Sequence, residues 1–166
     1  PGKPPLIVAE LGFNHNGDVE LAKKMIESAA KNGADAVKLQ TFVAKEMISN
    51  RWIADDPDNP GHEIPLYEFF QRYELSRSDY ETLFSYAKTL NIPLFSTPFD
   101  ESSLEMLTEH GVPDIKIASP GLTFLPFLEK VSETGLPVIL STGMGNEEEI
   151  FQALKILKPK CLIILL

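Results

Sequence analysis

Two lysines, Lys38 and Lys116, each stand in the middle of a short apolar segment and are the residues of this chain best suited to chemistry. Lys38 lies in Val37–Thr41 and Lys116 in Asp114–Ser119. Because side chains alternate across a strand, each lysine is expected to face away from its apolar neighbours. An ammonium group is rarely buried alone, because leaving it unpaired is costly. The pattern therefore predicts an anion or a carboxylate beside each lysine.

Small polar side chains accompany the lysines and follow the apolar segments. Gln40 shares a strand face with Lys38, and hydroxyl groups stand at segment ends, at Thr97, Ser119 and Ser141. Ammonium and hydroxyl groups bind phosphate or carboxylate through charge-assisted hydrogen bonds. A single lysine is also compatible with a structural ion pair or a snorkelling surface group. Two lysines at equivalent strand positions favour an anion-binding site at the strand ends.

Glu10 ends the first apolar segment and would face the same end of the sheet. Three roles stay open for it: a hydrogen bond to a polyhydroxylated substrate, general-base catalysis or a plain salt bridge to Lys38. His15 stands between two asparagines, and a role in shaping the loop is favoured over that of a ligand or acid. No pair of histidines or cysteines forms a recognisable metal site.

The elements that would position these groups alternate between strand and helix. Strands are predicted at Leu6–Ala9, Ala36–Leu39, Ile92–Ser96, Asp114–Ser119, Pro137–Leu140 and Cys161–Leu166. Capping residues predict helix starts at Asp18, Ser76 and Asn146, and Gly33 ends the first helix. Residues 42–75 are predicted to form a long irregular segment whose aromatic residues pack against the domain.

This alternation predicts an α/β fold with a parallel sheet. Because polar residues cluster just after the strands, we favour a TIM-type (β/α)8 barrel, whose active site lies at the carboxyl ends of its strands. A flavodoxin-like open sheet is the alternative, and the lack of a glycine-rich phosphate loop counts against it. A complete barrel takes about 250 residues, so these 166 residues are expected to hold roughly its first six strands.

Bulk composition limits the classes of function. The formal net charge of −9 argues against general nucleic-acid binding, which rests on a basic face. The single cysteine, Cys161, allows no intrachain disulfide and suits a reducing cytoplasm. No signal-peptide pattern is present, and no apolar run reaches the roughly 20 residues that cross a bilayer. A cytoplasmic protein without nucleic-acid or membrane partners is therefore expected.

Ordered motifs along almost the whole chain resemble those of the sialic acid synthase family. They are IVAELGFNHNGD at 7–18, VKLQTF at 37–42, STPFD at 96–100, KIAS at 116–119 and LSTGM at 140–144. The family includes synthases for N-acetylneuraminate, legionaminate and pseudaminate, together with spore-coat polysaccharide homologues. The chain is thus similar to the N-terminal part of such a synthase barrel.

The resemblance implies a condensation of phosphoenolpyruvate with an N-acetylated hexosamine, such as N-acetylmannosamine, that forms a nine-carbon 2-keto sugar acid and releases phosphate. The phosphoenolpyruvate-binding residues that it implies are Lys38, Thr97, Lys116, Ser119 and Ser141. Glu10 and Gln40 would contact the amino sugar, and Glu10 is also the candidate for proton transfer. A divalent metal, Mn²⁺ or Mg²⁺, would polarise the aldehyde of the sugar.

Departures from the family pattern qualify this interpretation. Pro120 follows Ser119, and relatives commonly have a bulkier or acidic residue before the next helix, so the loop is expected to differ in shape. The family's metal-binding histidines are not expected among these residues, and neither is its C-terminal antifreeze-like domain, which contributes a sugar-binding arginine across the family's homodimer. Residues 1–166 are therefore expected to be the N-terminal part of a synthase domain, inactive alone, with an undetermined acceptor sugar. The alternative functions are another phosphoenolpyruvate-dependent keto-acid synthase and a non-catalytic anion-binding barrel.

Overall fold

A parallel sheet of six strands frames the molecule, in a computed structural model that describes residues 4–157 and 163–165. The strands in chain order are β1 Val8–Gly12, β2 Ala36–Thr41, β3 Ile53–Asp55, β4 Glu63–Pro65, β5 Leu94–Pro98, β6 Ile115–Ile117, β7 Val138–Leu140 and β8 Ile163–Leu165. The large sheet has the order β1-β2-β5-β6-β7-β8, and β3 pairs with β4 as a separate hairpin. In a flavodoxin-like sheet the order of the strands reverses at one point. Here the strands of the large sheet follow one another in chain order, as they do in the wall of a barrel. The prediction of an α/β barrel with six strands present is confirmed.

Helices connect the strands and cover one face of the sheet. They are α1 Val19–Lys31, α2 Ala44–Met47, α3 Leu66–Gln71, α4 Arg77–Thr89, α5 Glu101–Glu109, α6 Leu125–Glu133 and α7 Glu147–Leu157. The predicted caps are confirmed. Asp18 accepts two backbone N–H bonds of α1, and Ser76 forms a reciprocal capping box with Asp79. Asn146 pairs with Glu149 in the same way.

The apolar core lies between the sheet and the helices. Leu39 of β2, Ile117 of β6 and Ile26 of α1 are fully buried members of one cluster. Because side chains alternate along a strand, the neighbours of these strand residues point to the other face. Lys38 and Lys116 therefore face the interior side of the barrel wall, as predicted.

Residues 42–75 are ordered, so the prediction of an irregular segment is wrong. They contain α2, the β3–β4 hairpin and α3, each three to six residues long. An ion-pair cluster holds the segment together, because Arg72 binds Asp56 at 2.9 Å and Asp58 at 3.0 Å. Elements this short carry too few residues for periodicity to reveal them.

Aromatic rings join this segment to the loop after β1, which confirms the predicted packing. The ring centroid of Phe13 lies 6.3 Å from that of Phe42, 5.9 Å from Phe70 and 5.4 Å from Tyr73. The whole segment is thereby anchored at the carboxyl end of β1 and β2. Its aromatic residues thus contact the loop that follows β1.

Strand ends differ from the prediction near the lysines. β1 begins at Val8 rather than Leu6 and continues to Gly12. The strand that carries the second lysine is three residues long, and a 3-10 turn at Ser119–Gly121 follows it. Hydrogen-bond pairing with the neighbouring strands sets these ends, not apolar content. The predicted strand start at Cys161 lies outside the described residues.

Within the described part of the chain, no helix is long and apolar enough to cross a bilayer.

Candidate anion-binding site

Lys38 stands at the centre of β2, directly opposite Glu10 of β1 in the sheet register. Its Nζ atom lies 2.5 Å from Glu10 Oε2 and donates hydrogen bonds to Thr97 Oγ1 at 2.9 Å and to the Leu39 carbonyl at 3.4 Å. The lysine side chain is 11% exposed and that of the glutamate 48%. The salt bridge, one of the roles left open for Glu10, is therefore present, with one end open to solvent.

Lys116 occupies the corresponding place on β6. Its Nζ atom donates to Ser141 Oγ and, at 2.8 Å, to the carbonyl of Ile117. In the register Lys116 lies opposite Ile139 of β7, so its hydroxyl partner is two residues further along. The lysine thus reaches diagonally toward the carboxyl end of the next strand.

The two lysines share one geometric plan. Lys38 lies opposite Phe95 of β5 and reaches Thr97, two residues further along. Lys116 makes the same diagonal contact with Ser141, and each lysine also binds the carbonyl of the residue after it. The sheet therefore presents two lysine–hydroxyl pairs on the same face, aimed at its carboxyl end.

Lys116 and Lys38 lie in one electrostatic environment. Burial, followed by the positive charge of Lys38, lowers the pKa of Lys116 to about 8, while the carboxylate of Glu10 opposes the shift. Among the described residues no carboxylate forms an ion pair with Lys116. A bound anion would supply the negative charge that this side of the site lacks.

Gln40 and Glu10 meet beside Gly12, at the end of β1. A Cβ atom on Gly12 would lie 3.5 Å from Glu10 Oε1 and 3.7 Å from Gln40 Nε2, and its φ of +57° disfavours any other residue. The Gln40 carbonyl accepts a hydrogen bond from Tyr80 Oη at 3.0 Å. That contact joins residues 40 positions apart, and no local pattern could have indicated it.

Ser119 lies at the same strand ends without joining either lysine. Its hydroxyl has no hydrogen-bond partner within the described part of the chain. Gly143 lies beside it, and a Cβ atom added to Gly143 would lie 3.0 Å from Ser119 Oγ. Lys38, Thr97 and Glu10 thus form one cluster, Lys116 and Ser141 another, and Ser119 stands alone beside the second.

Buried polar pairs that sequence reasoning missed support the strand ends from the helix side. Thr41 Oγ1 and Ser96 Oγ lie 2.7 Å apart, and Asp100 accepts from the N–H of Val43 at 2.7 Å. Burial raises the pKa of the Asp100 carboxyl. These contacts join the exits of β2 and β5 across more than fifty residues of chain.

His15 takes part in the loop after β1, in agreement with its favoured role. Its Nδ1 atom accepts a hydrogen bond from the N–H of Gly17 at 3.1 Å, and the side chain is buried. Burial lowers the pKa of His15, and Asp18 opposes that shift. The accepting Nδ1 places the proton of the neutral ring on Nε2.

The described residues do not fit a divalent metal. No group of three or more His, Cys, Asp and Glu side chains among them could hold an ion. Glu10 is the acidic side chain at the site, and its Oε2 atom is paired with Lys38. The expected Mn²⁺ or Mg²⁺ remains a prediction.

Known proteins are similar to this chain in sequence and in fold. The NeuB family model matches residues 25–166. The N,N'-diacetyllegionaminic acid synthase of Campylobacter jejuni is 43% identical over 158 residues, which cover 93% of this chain and 47% of that protein. The crystal structure of N-acetylneuraminic acid (sialic acid) synthetase from Leptospira borgpetersenii, in complex with citrate, superposes with a TM-score of 0.86 at 34% identity, over 98% of this chain and 53% of that one.

A more distant structure shows the fold alone. The truncated 3-deoxy-D-arabino-heptulosonate 7-phosphate synthase of Thermotoga maritima superposes with a TM-score of 0.67 at 15% identity, over 96% of this chain and 50% of that one. The chain spans about half the length of the relatives that it matches.

Proposed function

Because the chain belongs to the NeuB family, we propose that its protein condenses phosphoenolpyruvate with an N-acetylated hexosamine, as a sialic acid-type synthase. The C2–C3 π electrons of phosphoenolpyruvate form a bond from C3 to the aldehyde carbon of the open-chain sugar, and the aldehyde oxygen takes up a proton and becomes a hydroxyl. Water adds at C2, and the C2–O bond to phosphate breaks as the ketone forms. The products are a nine-carbon 2-keto sugar acid and inorganic phosphate.

The repeated lysine–hydroxyl pair is the observation that carries the proposal. Phosphoenolpyruvate has two anionic groups, a carboxylate and a phosphate, and the sheet offers two ammonium groups on one face. Lys116 in particular has no acidic partner among the described residues and is held with a lowered pKa of about 8. An anion bound beside Lys116 would supply the negative charge that this lysine lacks, and Lys38, although paired with Glu10, would add a second charged donor.

The resemblance to the family assigns roles within the proposed site, and the contacts of these residues support them. Lys38 with Thr97, and Lys116 with Ser141, bind phosphoenolpyruvate, and the hydroxyl of Ser119 is added to this set. Positioning and charge neutralisation by these groups would lower the barrier to the attack and to the loss of phosphate.

Glu10 and Gln40 are assigned to the amino sugar. Oε2 of Glu10 is paired with Lys38, whereas Oε1 lies on the side of Gly12 and Gln40. Oε1 is therefore the oxygen that would accept a hydrogen bond from a sugar hydroxyl or move a proton. The divalent metal and the homodimer stay predictions, and no step is assigned to the metal.

Phosphate release tests the proposal on the full-length gene product. We expect release from phosphoenolpyruvate in the presence of an N-acetylhexosamine and manganese, and calorimetric binding of phosphoenolpyruvate. No release with any amino sugar would contradict the proposal. Release only with a different aldehyde acceptor would favour another keto-acid synthase, and binding without any turnover would favour a non-catalytic anion-binding barrel.

A further inference from the structure

The turn after β7 packs closely against the turn after β6. A Cβ added to Gly143 would come 3.0 Å from Ser119 Oγ, and one added to Gly145 would overlap the buried side chain of Leu122. The N–H of Gly145 donates to the Thr142 carbonyl at 3.0 Å, which closes the turn. The two glycines thus form the surface by which one turn contacts the other.

Backbone conformation does not explain the glycine at 143. The φ of Gly143 lies outside the left-handed region. Its backbone conformation is therefore open to residues other than glycine. The next residue, Met144, has a φ of +63° and a fully exposed side chain. The turn therefore places a non-glycine residue where glycine is favoured, and a glycine where conformation does not require one. The space beside Ser119 is the remaining physical reason for Gly143.

We propose that Gly143 is a positioning residue of the phosphoenolpyruvate site, because it keeps the space beside Ser119 Oγ open and so sets where that hydroxyl stands. The inference rests on the proposed function. Ser141 Oγ is held by Lys116, whereas the Ser119 hydroxyl has no partner among the described residues. Without such a partner the hydroxyl depends on packing for its position, and Gly143 lies against it.

An alanine at position 143 would disturb this arrangement locally. Its methyl group at 3.0 Å from Ser119 Oγ is closer than ordinary contact, so the serine must shift by a few tenths of an ångström or change rotamer. A hydrogen bond from the hydroxyl to the bound anion would then be lengthened or lost. Removal of the hydroxyl itself would relieve the crowding.

A double-mutant cycle measures this coupling through the affinity for phosphoenolpyruvate. Calorimetry compares the unaltered protein with Gly143→Ala, Ser119→Ala and the double variant. We expect each single variant to weaken binding by about fivefold, the value of one hydrogen bond, and the double variant to bind as Ser119→Ala does. Met144→Ala changes an exposed side chain of the same turn and serves as the control with unaltered affinity.

Each outcome has one meaning. Equal losses on Gly143→Ala with and without the Ser119 hydroxyl, or no loss in either, would overturn the positioning role. Unfolding of Gly143→Ala in both backgrounds would also overturn it, since glycine would then serve the turn itself, whereas rescue of the fold by Ser119→Ala would support the contact. If the unaltered protein binds no phosphoenolpyruvate, the proposed function fails first.

Discussion

Lys38 and Lys116 make the same diagonal contact with a hydroxyl but differ in negative charge. Lys38 has Glu10 at 2.5 Å, directly opposite in the register. Lys116 has a hydroxyl and a carbonyl, and its pKa is lowered to about 8 by burial and by Lys38. Among the described residues, one ammonium group is therefore neutralised within the sheet, and the other is left to be neutralised by a bound anion.

This difference separates stability from function. Removal of one partner of a buried ion pair destabilises the fold, because the other charge is then left without compensation. An unpaired lysine costs free energy in the empty site, and such costs are concentrated at functional sites. Glu10 with Lys38 is thus expected to matter for folding as well as for binding, and Lys116 for binding alone.

The largest expected effect is on ligand affinity when Lys116 is replaced. Lys116→Met should weaken phosphoenolpyruvate binding by about 10- to 100-fold, because a charged hydrogen-bond donor is lost. Its free energy of unfolding at pH 7 should stay equal or rise, since a desolvated ammonium is removed. Calorimetry and urea unfolding measure the two quantities. A Lys116→Met variant with unaltered affinity would remove this lysine from the site.

Glu10→Gln should act in the opposite way, through stability. The substitution leaves the Lys38 ammonium without a negative partner. We expect a loss of about 1–3 kcal/mol in the free energy of unfolding. This is less than for a fully buried pair, because Glu10 is half exposed. Glu20→Gln is the matched control, because its pair with Lys23 lies at the surface and should contribute under about 0.5 kcal/mol. Equal urea midpoints for the two variants would contradict the structural role of Glu10.

The pH dependence of binding tests the charge on Lys116 directly. With its pKa at about 8 in the free protein, Lys116 loses its proton as the pH rises above that value. Affinity for phosphoenolpyruvate should then fall by about tenfold per pH unit, and binding near pH 8 should take up a proton because the anion raises the pKa. Lys116→Arg stays charged and should show a flat profile. Calorimetry in two buffers of different ionisation enthalpy measures the proton uptake.

The same shift has a signed consequence for folding. The unfolded chain holds the Lys116 proton to its ordinary, higher pKa, so between about pH 8 and that value the unfolded state binds more protons. Stability from this group therefore rises with pH across that window. The binding and folding profiles run in opposite directions, which distinguishes a site lysine from a structural one.

The sequence predicted the frame of this site better than its contacts. Apolar runs and capping residues such as Asp18 located the strands and helices, and alternation predicted the face on which Lys38 and Lys116 lie. The β3–β4 hairpin was missed because three-residue strands held by Arg72 and Asp56 leave no periodic trace. The salt bridge between Glu10 and Lys38 became evident only from the sheet register.

Contacts between turns were equally out of reach of sequence patterns. Glycines permit close approach of a backbone, but only the structure shows that Ser119 lies beside Gly143. Tyr80, which binds the Gln40 carbonyl, reads from sequence only as part of an apolar helix face. Each of these contacts joins segments that are distant in the chain, so only the folded arrangement reveals them.

His15 extends the comparison to a third basic side chain, and its effect should be the smallest. It is buried in the loop after β1, and burial lowers its pKa. Below about pH 6.5 the unfolded chain binds a proton that the folded chain resists, so stability falls as the pH drops from that value toward the lowered pKa. The change is bounded by about 1.4 kcal/mol per pH unit.

His15→Asn isolates this contribution, because the amide oxygen can still accept from the N–H of Gly17 and does not titrate. Between pH 7 and 5 its unfolding free energy should decline less steeply than that of the unaltered chain. His62→Asn replaces a histidine at an exposed position and serves as the control for the substitution itself. Identical slopes for all three proteins would mean that His15 takes up its proton without cost. Unlike Lys116, then, it would carry no penalty for burial, and the contrast between an unpaired site lysine and its paired counterpart would not extend to this loop.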